Sequence, residues 1–427
     1  MKRLIGNYDI PKSAYVHIPF CRRRCYYCDF PVSVVGDRRR GDNFSPIQDY
    51  VEVICQEISI TKSFSQPLET IFFGGGTPSL LSVGQLSQIL EALEQKFGIV
   101  TDAEISLEMD PGTFDLEQVQ GYLALGVNRV SLGAQAFQDD LLQICGRSHH
   151  VSDIYEAVDK LDRAGVTNFS IDLISGLPNQ TLDQWQASLE AGIAISPNHI
   201  SSYDLVVEPV TPFGRYYQPG NSPLPTDENS AQMYRMAQQL LTISGYEHYE
   251  ISNYAKANYQ CGHNRVYWEN LPYYGFGMGA ASYVEGQRFT RPRTRKGYYQ
   301  WVQSLQSSSL ENQGIFTPNN YLENKQEFLL ETLMLRFRLA EGVNLSILSQ
   351  QFDLQTVEQV WICLEPYQKA GWVEFIHPNG IATVLSDNQK PPRDGYLRLT
   401  DPEGFLFSNT VLSTLFSKLE NPISIKL

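Results

Sequence analysis

Three cysteines, Cys21, Cys25 and Cys28, fall within eight residues of one another in the segment Tyr15–Phe30. The Cys-x3-Cys-x2-Cys spacing offers three soft thiolates, which suit iron–sulfur clusters and zinc. Three thiolates at these intervals reach three corners of a [4Fe–4S] cubane and leave one iron open to an external ligand. Structural zinc wants a fourth protein ligand. His17 is the nearest candidate, but it lies in a stretch that reads as strand. Three unligated thiols on a loop would oxidise readily, so a [4Fe–4S] site is the expectation. The other cysteines, Cys55, Cys145, Cys261 and Cys363, are scattered. Cys55 and Cys363 lie in helical patterns and read as small core residues. An odd total of seven, with no apolar signal core in Met1–Pro11, gives no reason to expect disulfides.

Such a loop needs a scaffold, and the pattern along the chain supplies one. Short β-rich runs alternate with amphipathic helical runs. Strands are expected at Ala14–Ile18, Thr70–Phe73, Glu104–Glu108, Arg129–Leu132, Phe169–Ile174 and His199–Leu205. Helices are expected at Ile47–Thr61, Val83–Phe97, Leu116–Leu125, Val151–Ala164, Leu182–Ile193 and Glu228–Ile243. Helices of about 10–15 residues between short strands imply parallel βαβ units. Six in series favour an α/β fold with a partial parallel (β/α)6-type barrel, with a doubly wound sheet as the competitor. Either way, function belongs at the carboxyl ends of the strands, where the cysteine loop falls. After about Gly286 the pattern changes to helices at Tyr321–Leu339, Leu345–Gln351 and Thr356–Ala370. Short strands follow at Trp372–Ile376, Ile381–Leu385 and Tyr396–Thr400, then a helix at Pro402–Leu419. The expected organisation is therefore a barrel over residues 1–290 and a small α+β, winged-helix-like module over 291–427, read as a lid or docking platform at the barrel mouth.

The chain has 427 residues, 42% of them hydrophobic, and a formal net charge of −14. The apolar content is enough for a large core. The acidic balance disfavours nucleic-acid binding, and the run Arg38–Arg40 reads as a solvated loop. No stretch approaches the roughly 20 apolar residues of a membrane span. A cytoplasmic location is expected.

Longer motifs sharpen the reading. The segments Tyr15–Cys21 (Tyr-Val-His-Ile-Pro-Phe-Cys), Phe72–Ser79 (Phe-Phe-Gly-Gly-Gly-Thr-Pro-Ser), Asp172–Pro178 (Asp-Leu-Ile-Ser-Gly-Leu-Pro) and Glu250–Tyr254 (Glu-Ile-Ser-Asn-Tyr) are distinctive. Together they resemble the oxygen-independent coproporphyrinogen III oxidase family of the radical S-adenosylmethionine superfamily. The resemblance runs from about Ala14 to the C-terminus. It implies that S-adenosylmethionine is the fourth ligand of the cluster. It also implies that Tyr15, Tyr27, Gly75, Gly76, Thr77, Glu108, Gln135, Arg147 and Asp172 contact S-adenosylmethionine. The chemistry agrees: glycines let backbone approach a ligand closely, and Glu108, Gln135 and Asp172 each fall near the end of an expected strand. On its own the glycine run also fits a plain turn, and Asp172 a cap.

Two departures point away from the decarboxylases of that family. They carry a further cysteine where this chain has Phe30, and only 20 residues precede Cys21. The segment Cys261–Trp268 instead resembles the haem-chaperone (HemW) branch, through its His-Asn-x-x-Tyr-Trp motif: His263, Asn264, Tyr267 and Trp268. Imidazole is a common axial ligand of haem iron, and the aromatics could stack on a porphyrin. A histidine packed in the barrel wall is the plainer alternative, and Cys261, His149, His150 and His17 are rival ligands. Ala281 stands where the family often has histidine. The resemblance thus implies a haem chaperone, rather than an enzyme, that hands haem to an unidentified acceptor protein, with a homodimer among the expected assemblies. The alternative is an anaerobic decarboxylase of coproporphyrinogen III that uses a 5′-deoxyadenosyl radical.

Overall fold

The computed structural model describes residues 10–37, 40–307, 325–385 and 392–420. Arg38 and Arg39 of the arginine run, most of the N-terminal segment and Tyr321–Asn324 of the long expected helix lie outside them. Arg40 sits half-exposed, 3.7 Å from Asp115.

Six parallel strands form the body of the barrel: β1 (Ser13–Ile18), β2 (Leu68–Gly75), β3 (Ile99–Met109), β4 (Arg129–Gln135), β5 (Phe169–Ser175) and β6 (His199–Asp204). The connecting helices are α1 (Ser45–Ile60), α2 (Val83–Phe97), α3 (Leu116–Ala124), α4 (Val151–Ala164) and α5 (Leu182–Ala194), with α6 (Asp227–Ile243) following β6. Their starts are written in the sequence: Ser82 and Thr181 make capping boxes with Gln85 and Gln184, and Asp115 and Thr226 cap α3 and α6. Three short strands that periodicity does not mark complete the sheet: β7 (Glu247–Glu250), β8 (Asn253–Ala255) and β9 (Tyr274–Phe276). The order is β9-β1-β2-β3-β4-β5-β6-β8-β7. β9 joins β1 in parallel, while β8 runs antiparallel to both β6 and β7. The edge strands β9 and β7 do not pair, so the barrel is partial.

Strand side chains alternate between two faces. Ala14, Val16, Ile71, Phe73, Ile105, Leu107, Val130, Leu132, Ile171, Leu173 and Ile200 form the apolar set, buried among the helices. The alternate set holds Tyr15, His17, Thr70, Phe72, Glu104, Glu108, Arg129, Ser131, Asp172 and His199, and these side chains meet one another inside the barrel. The same two-residue period that packs the wall therefore also delivers a polar interior.

The helix Arg295–Ser307 lies against α1, and its Tyr298 and Val302 belong to the barrel's core. The C-terminal module has its own core, built around Leu333, Phe337, Val360, Leu364, Phe375, Leu397 and Leu415. Its helices Lys325–Arg336, Leu345–Gln351 and Leu354–Lys369 precede strands Val373–Ile376, Ala382–Thr383 and Tyr396–Leu399. These strands join Val343–Asn344 in a four-stranded sheet. The expected final helix is broken into Glu403–Leu406 and Ser408–Glu420. Among the described residues the module does not cover the mouth as a lid. It docks on the last edge of the barrel: Leu339 bridges Glu250, Ile251 N–H donates to the Arg338 carbonyl, Arg235 forks onto Glu403, and His248 meets Asp401 at 2.8 Å.

Candidate cluster and cofactor site

The cysteine loop leaves β1 at the carboxyl end of the sheet. Cys21 lies on a two-residue strand, Phe20–Cys21, paired with Ser33–Val34. The loop is fastened on several sides. Tyr26 N–H donates to the Cys145 carbonyl, and Phe213 N–H to the Tyr26 carbonyl. Thr77 N–H donates to the Phe20 carbonyl at 2.7 Å and Gly76 N–H to the Ile18 carbonyl at 2.8 Å, tying the glycine turn to the cysteine strand. The Thr77 hydroxyl also reaches the Cys21 sulfur. Burial pushes the Cys21 and Cys28 thiols up. A bound metal reverses this, because a coordinated thiol gives up its proton.

His17 is committed elsewhere. Its Nδ1 meets the Tyr15 hydroxyl and its Nε2 the Pro31 carbonyl, both at 3.0 Å. Burial holds its pKa down at about 4, so it is neutral. With both nitrogens engaged it offers nothing to a zinc ion; it pins the far end of the cysteine loop. Its ring also explains Gly75, which has φ +111°: a Cβ there would come within 2.3 Å of the imidazole. Gly279 does the same for Pro31, whose ring occupies the space of its missing side chain at 2.3 Å.

Behind the glycine turn, Glu108 accepts the Gly75 N–H at 2.9 Å. Desolvation inside the barrel and the facing Asp172 carboxylate push its pKa up to about 8. Asp172 accepts from Ser131 at 3.1 and 3.2 Å and from Ser201, and desolvation raises its pKa too. Neither carboxylate has a cation within ion-pair distance among the described residues. Two facing carboxyl groups that meet Arg129 and Arg147 only at longer range suit a cationic ligand, and S-adenosylmethionine carries a sulfonium and an ammonium. Gln135 ends β4 with φ +70°, an unusual backbone for a residue with a side chain.

Arg147 closes the other side. It donates to the Cys25 sulfur at 3.3 Å, to Tyr27 OH at 3.4 Å and to the Gly133 carbonyl at 3.0 Å, and it pairs with Asp110. Its buried Nε has no partner among the described residues. A buried unpaired donor is costly, and this one belongs to a guanidinium already on Cys25 and Tyr27. Thiols, paired carboxyl groups and an unpaired donor thus fit a cluster with S-adenosylmethionine. Asp110, Ser131, Ser201 and Arg129 escaped the sequence reading; polar residues at alternate positions of aliphatic strands were the available signal.

The four haem candidates behave differently. They lie on a short helix, α7 (Gly262–Trp268), at the opposite end of the barrel. His263 is fully buried, with Nδ1 on Thr70 Oγ1 at 2.8 Å and Nε2 on Tyr267 OH at 2.9 Å. It stacks on Phe72, and burial drives its pKa down to about 3. His263 as found is a barrel plug with no open nitrogen. Helical spacing separates the set, because His263 and Tyr267 share one face, whereas Trp268 lies under the Arg338 guanidinium. Asn264 donates its backbone N–H toward the Cys261 sulfur rather than orienting the imidazole. Cys261 is buried beside Glu104, and its thiol is pushed up to about 12. His149 is held between Arg147 and the Ala134 carbonyl. His150 is exposed at the start of α4, 3.5 Å from Asp139.

The radical SAM superfamily model matches residues 15–191, and the HemN C-terminal domain model matches residues 324–377. A Synechocystis protein named heme chaperone HemW is 48% identical over 417 residues, covering 97% of this chain and 98% of its own length. The chain belongs to the HemW family. The Escherichia coli HemW is 35% identical over 345 residues, 78% of this chain and 84% of its own. A zebrafish relative, radical S-adenosyl methionine domain-containing protein 1, mitochondrial, is 30% identical over 362 residues, 83% of this chain and 79% of its own. Coproporphyrinogen III oxidase (HemN) from Escherichia coli shares the fold, with a TM-score of 0.75 at 23% identity over 97% of this chain and 92% of that one. HemW membership within the radical SAM superfamily implies the cluster and S-adenosylmethionine that the mouth of this barrel suits.

Proposed function

We propose that this protein is a haem chaperone: it binds haem and passes it to an acceptor protein. Cys21, Cys25 and Cys28 hold a [4Fe–4S] cluster, and S-adenosylmethionine lies among Tyr15, Tyr27, the Gly75–Thr77 turn, Glu108, Gln135, Arg147 and Asp172. The near full-length identity to a HemW protein carries this reading. No described helix is long and apolar enough to cross a membrane, and we place the protein in the cytoplasm.

When bound, the cluster supplies an iron open to S-adenosylmethionine and one-electron chemistry. The chain's part is to hold the ligands: Arg147 steadies Cys25, His17 fixes the loop through Pro31, and Glu108 with Asp172 meets the positive charge. Haem ligation by His263 requires α7 to open and release its bonds to Thr70 and Tyr267. Reconstituted protein should develop a Soret band with haem and then lose it to an added apo-haem protein. Turnover of coproporphyrinogen III under anaerobic conditions, without haem transfer, would sink the chaperone reading. Loss of the Soret band in His263→Ala would support the opened state; an unchanged band would leave His263 a structural plug.

A further inference from the structure

A cleft of about 460 Å³ opens at the barrel mouth between the cysteine loop and the loop after β6. Phe30, Val32 and Val210 supply apolar lining, and Arg24 and Arg293 supply charge. Phe30 is 54% exposed and Val210 62%. Nearby in the same two loops, Val34 and Val206 are also exposed. A cleft of this size that combines apolar side chains with a few fixed charges has the composition of a small-molecule site.

The two arginines are preset. Arg24 is held by the Cys28 carbonyl through Nε and Nη2, at 3.3 and 3.2 Å, and forms no ion pair among the described residues. Arg293 donates to the Asp29 carbonyl oxygen of the backbone at 2.7 Å, with the Asp29 carboxylate only at 3.8 Å. A guanidinium positioned by backbone and short of a close counter-ion is ready for a carboxylate.

We infer that this cleft seats the porphyrin: the macrocycle lies against Phe30, Val32 and Val210, and its two propionates meet Arg24 and Arg293. The inference rests on the haem-binding reading above and not on His263, which lies at the opposite end of the barrel and does not line this cleft. Asp29 and Glu208 also line the cleft. Two guanidiniums match a dicarboxylate, whereas a tetracarboxylate such as coproporphyrin would bring its extra charges against these acids. The seat is therefore selective for two-propionate porphyrins. Arg24 and Asp29 flank Cys25 and Cys28 in the chain, so cargo and cluster share one loop.

The test is a fluorescence titration of metal-free protoporphyrin IX, its dimethyl ester and coproporphyrin III into the full-length, cluster-reconstituted protein. Arg24→Gln with Arg293→Gln should weaken protoporphyrin IX binding about tenfold or more, the loss of charge-assisted bonds, and leave the dimethyl ester unchanged. Val210→Glu, on the wall away from the cysteines, should weaken both. Iron content and circular dichroism report whether each variant keeps its cluster and fold. If the wild type binds protoporphyrin IX and both the arginine and Val210 variants bind it equally well, the seat is wrong while the haem-binding reading stands. Coproporphyrin III binding as tightly as protoporphyrin IX would overturn the selectivity. If the wild type binds haem but not protoporphyrin IX, the seat is wrong; if it binds neither, the haem-binding reading itself falls.

Discussion

Glu104 and Glu108 stand four residues apart on one strand and point to the same interior, yet they live in opposite conditions. Glu104, toward the base, takes the Gly262 N–H at 2.8 Å, the His263 N–H at 3.0 Å and the Cys261 thiol at 3.6 Å. Glu108, toward the mouth, takes one N–H and faces another carboxylate. The base plugs itself with its own hydrogen bonds, as His263 between Thr70 and Tyr267 also shows. The mouth keeps two facing carboxyl groups with no close cationic partner among the described residues. Burial of polar groups is common to both ends; what marks the ligand site is imbalance, which costs stability unless something binds.

This contrast can be broken at several points. Cys25→Ser should have the largest effect: iron in reconstituted protein should fall from about four per chain to almost none. Full iron content would remove Cys25 as a ligand. Glu108→Gln should weaken S-adenosylmethionine binding by about tenfold to a hundredfold, the cost of losing a charged partner, while the unliganded protein keeps or gains thermal stability. Glu104→Gln should do the reverse, lowering Tm and sparing the affinity. Calorimetry with both variants checks the pair, and equal behaviour would erase the distinction. His263→Ala should destabilise by about 2–4 kcal/mol, the usual cost of emptying a buried, hydrogen-bonded site, visible in denaturant midpoints.

The smallest effect is in pH. Glu108 is raised from 4.5 to about 8, so the folded, unliganded protein holds its proton at neutral pH. Its contribution to stability is full below about pH 4.5 and is lost as pH rises through about 8. A cationic ligand favours the ionised form, so binding at pH 7 should release a proton. Affinity should climb by up to about tenfold per pH unit below 8 and flatten above it. A flat profile from pH 6.5 to 8, with no buffer-dependent heat, would dismiss Glu108 as the cation's partner.

Much of the barrel was legible because each element carries a local signal. Val151–Ala164 and Val83–Phe97 are helices over the residues that their apolar spacing indicates, and the six parallel strands lie where β-rich runs fall. The cysteine spacing needed no fold to be noticed. The strands β7, β8 and β9 were not legible, since three or four residues hold no period and pairing partners create them. His263 meets the same limit: its packing is decided by Thr70, 193 residues away in sequence. A His-Asn-x-x-Tyr-Trp motif records residue types but not which face of α7 turns inward. Asp110 and Ser131 were missed because each makes sense only beside its partner, Arg147 or Asp172. The docking of the C-terminal module rests on pairs such as Arg235–Glu403, which local pattern cannot see.

That docking has a bearing on self-association. An open sheet ends in a strand with backbone groups to spare, a template for any extended chain. Here the Arg338–Ala340 segment takes those groups: Ala340 N–H donates to the Tyr249 carbonyl and Ile251 N–H to the Arg338 carbonyl, both at 3.0 Å. The module is thus an edge guard, and a barrel trimmed of it should aggregate through β7 whatever its fitness to hold a cofactor.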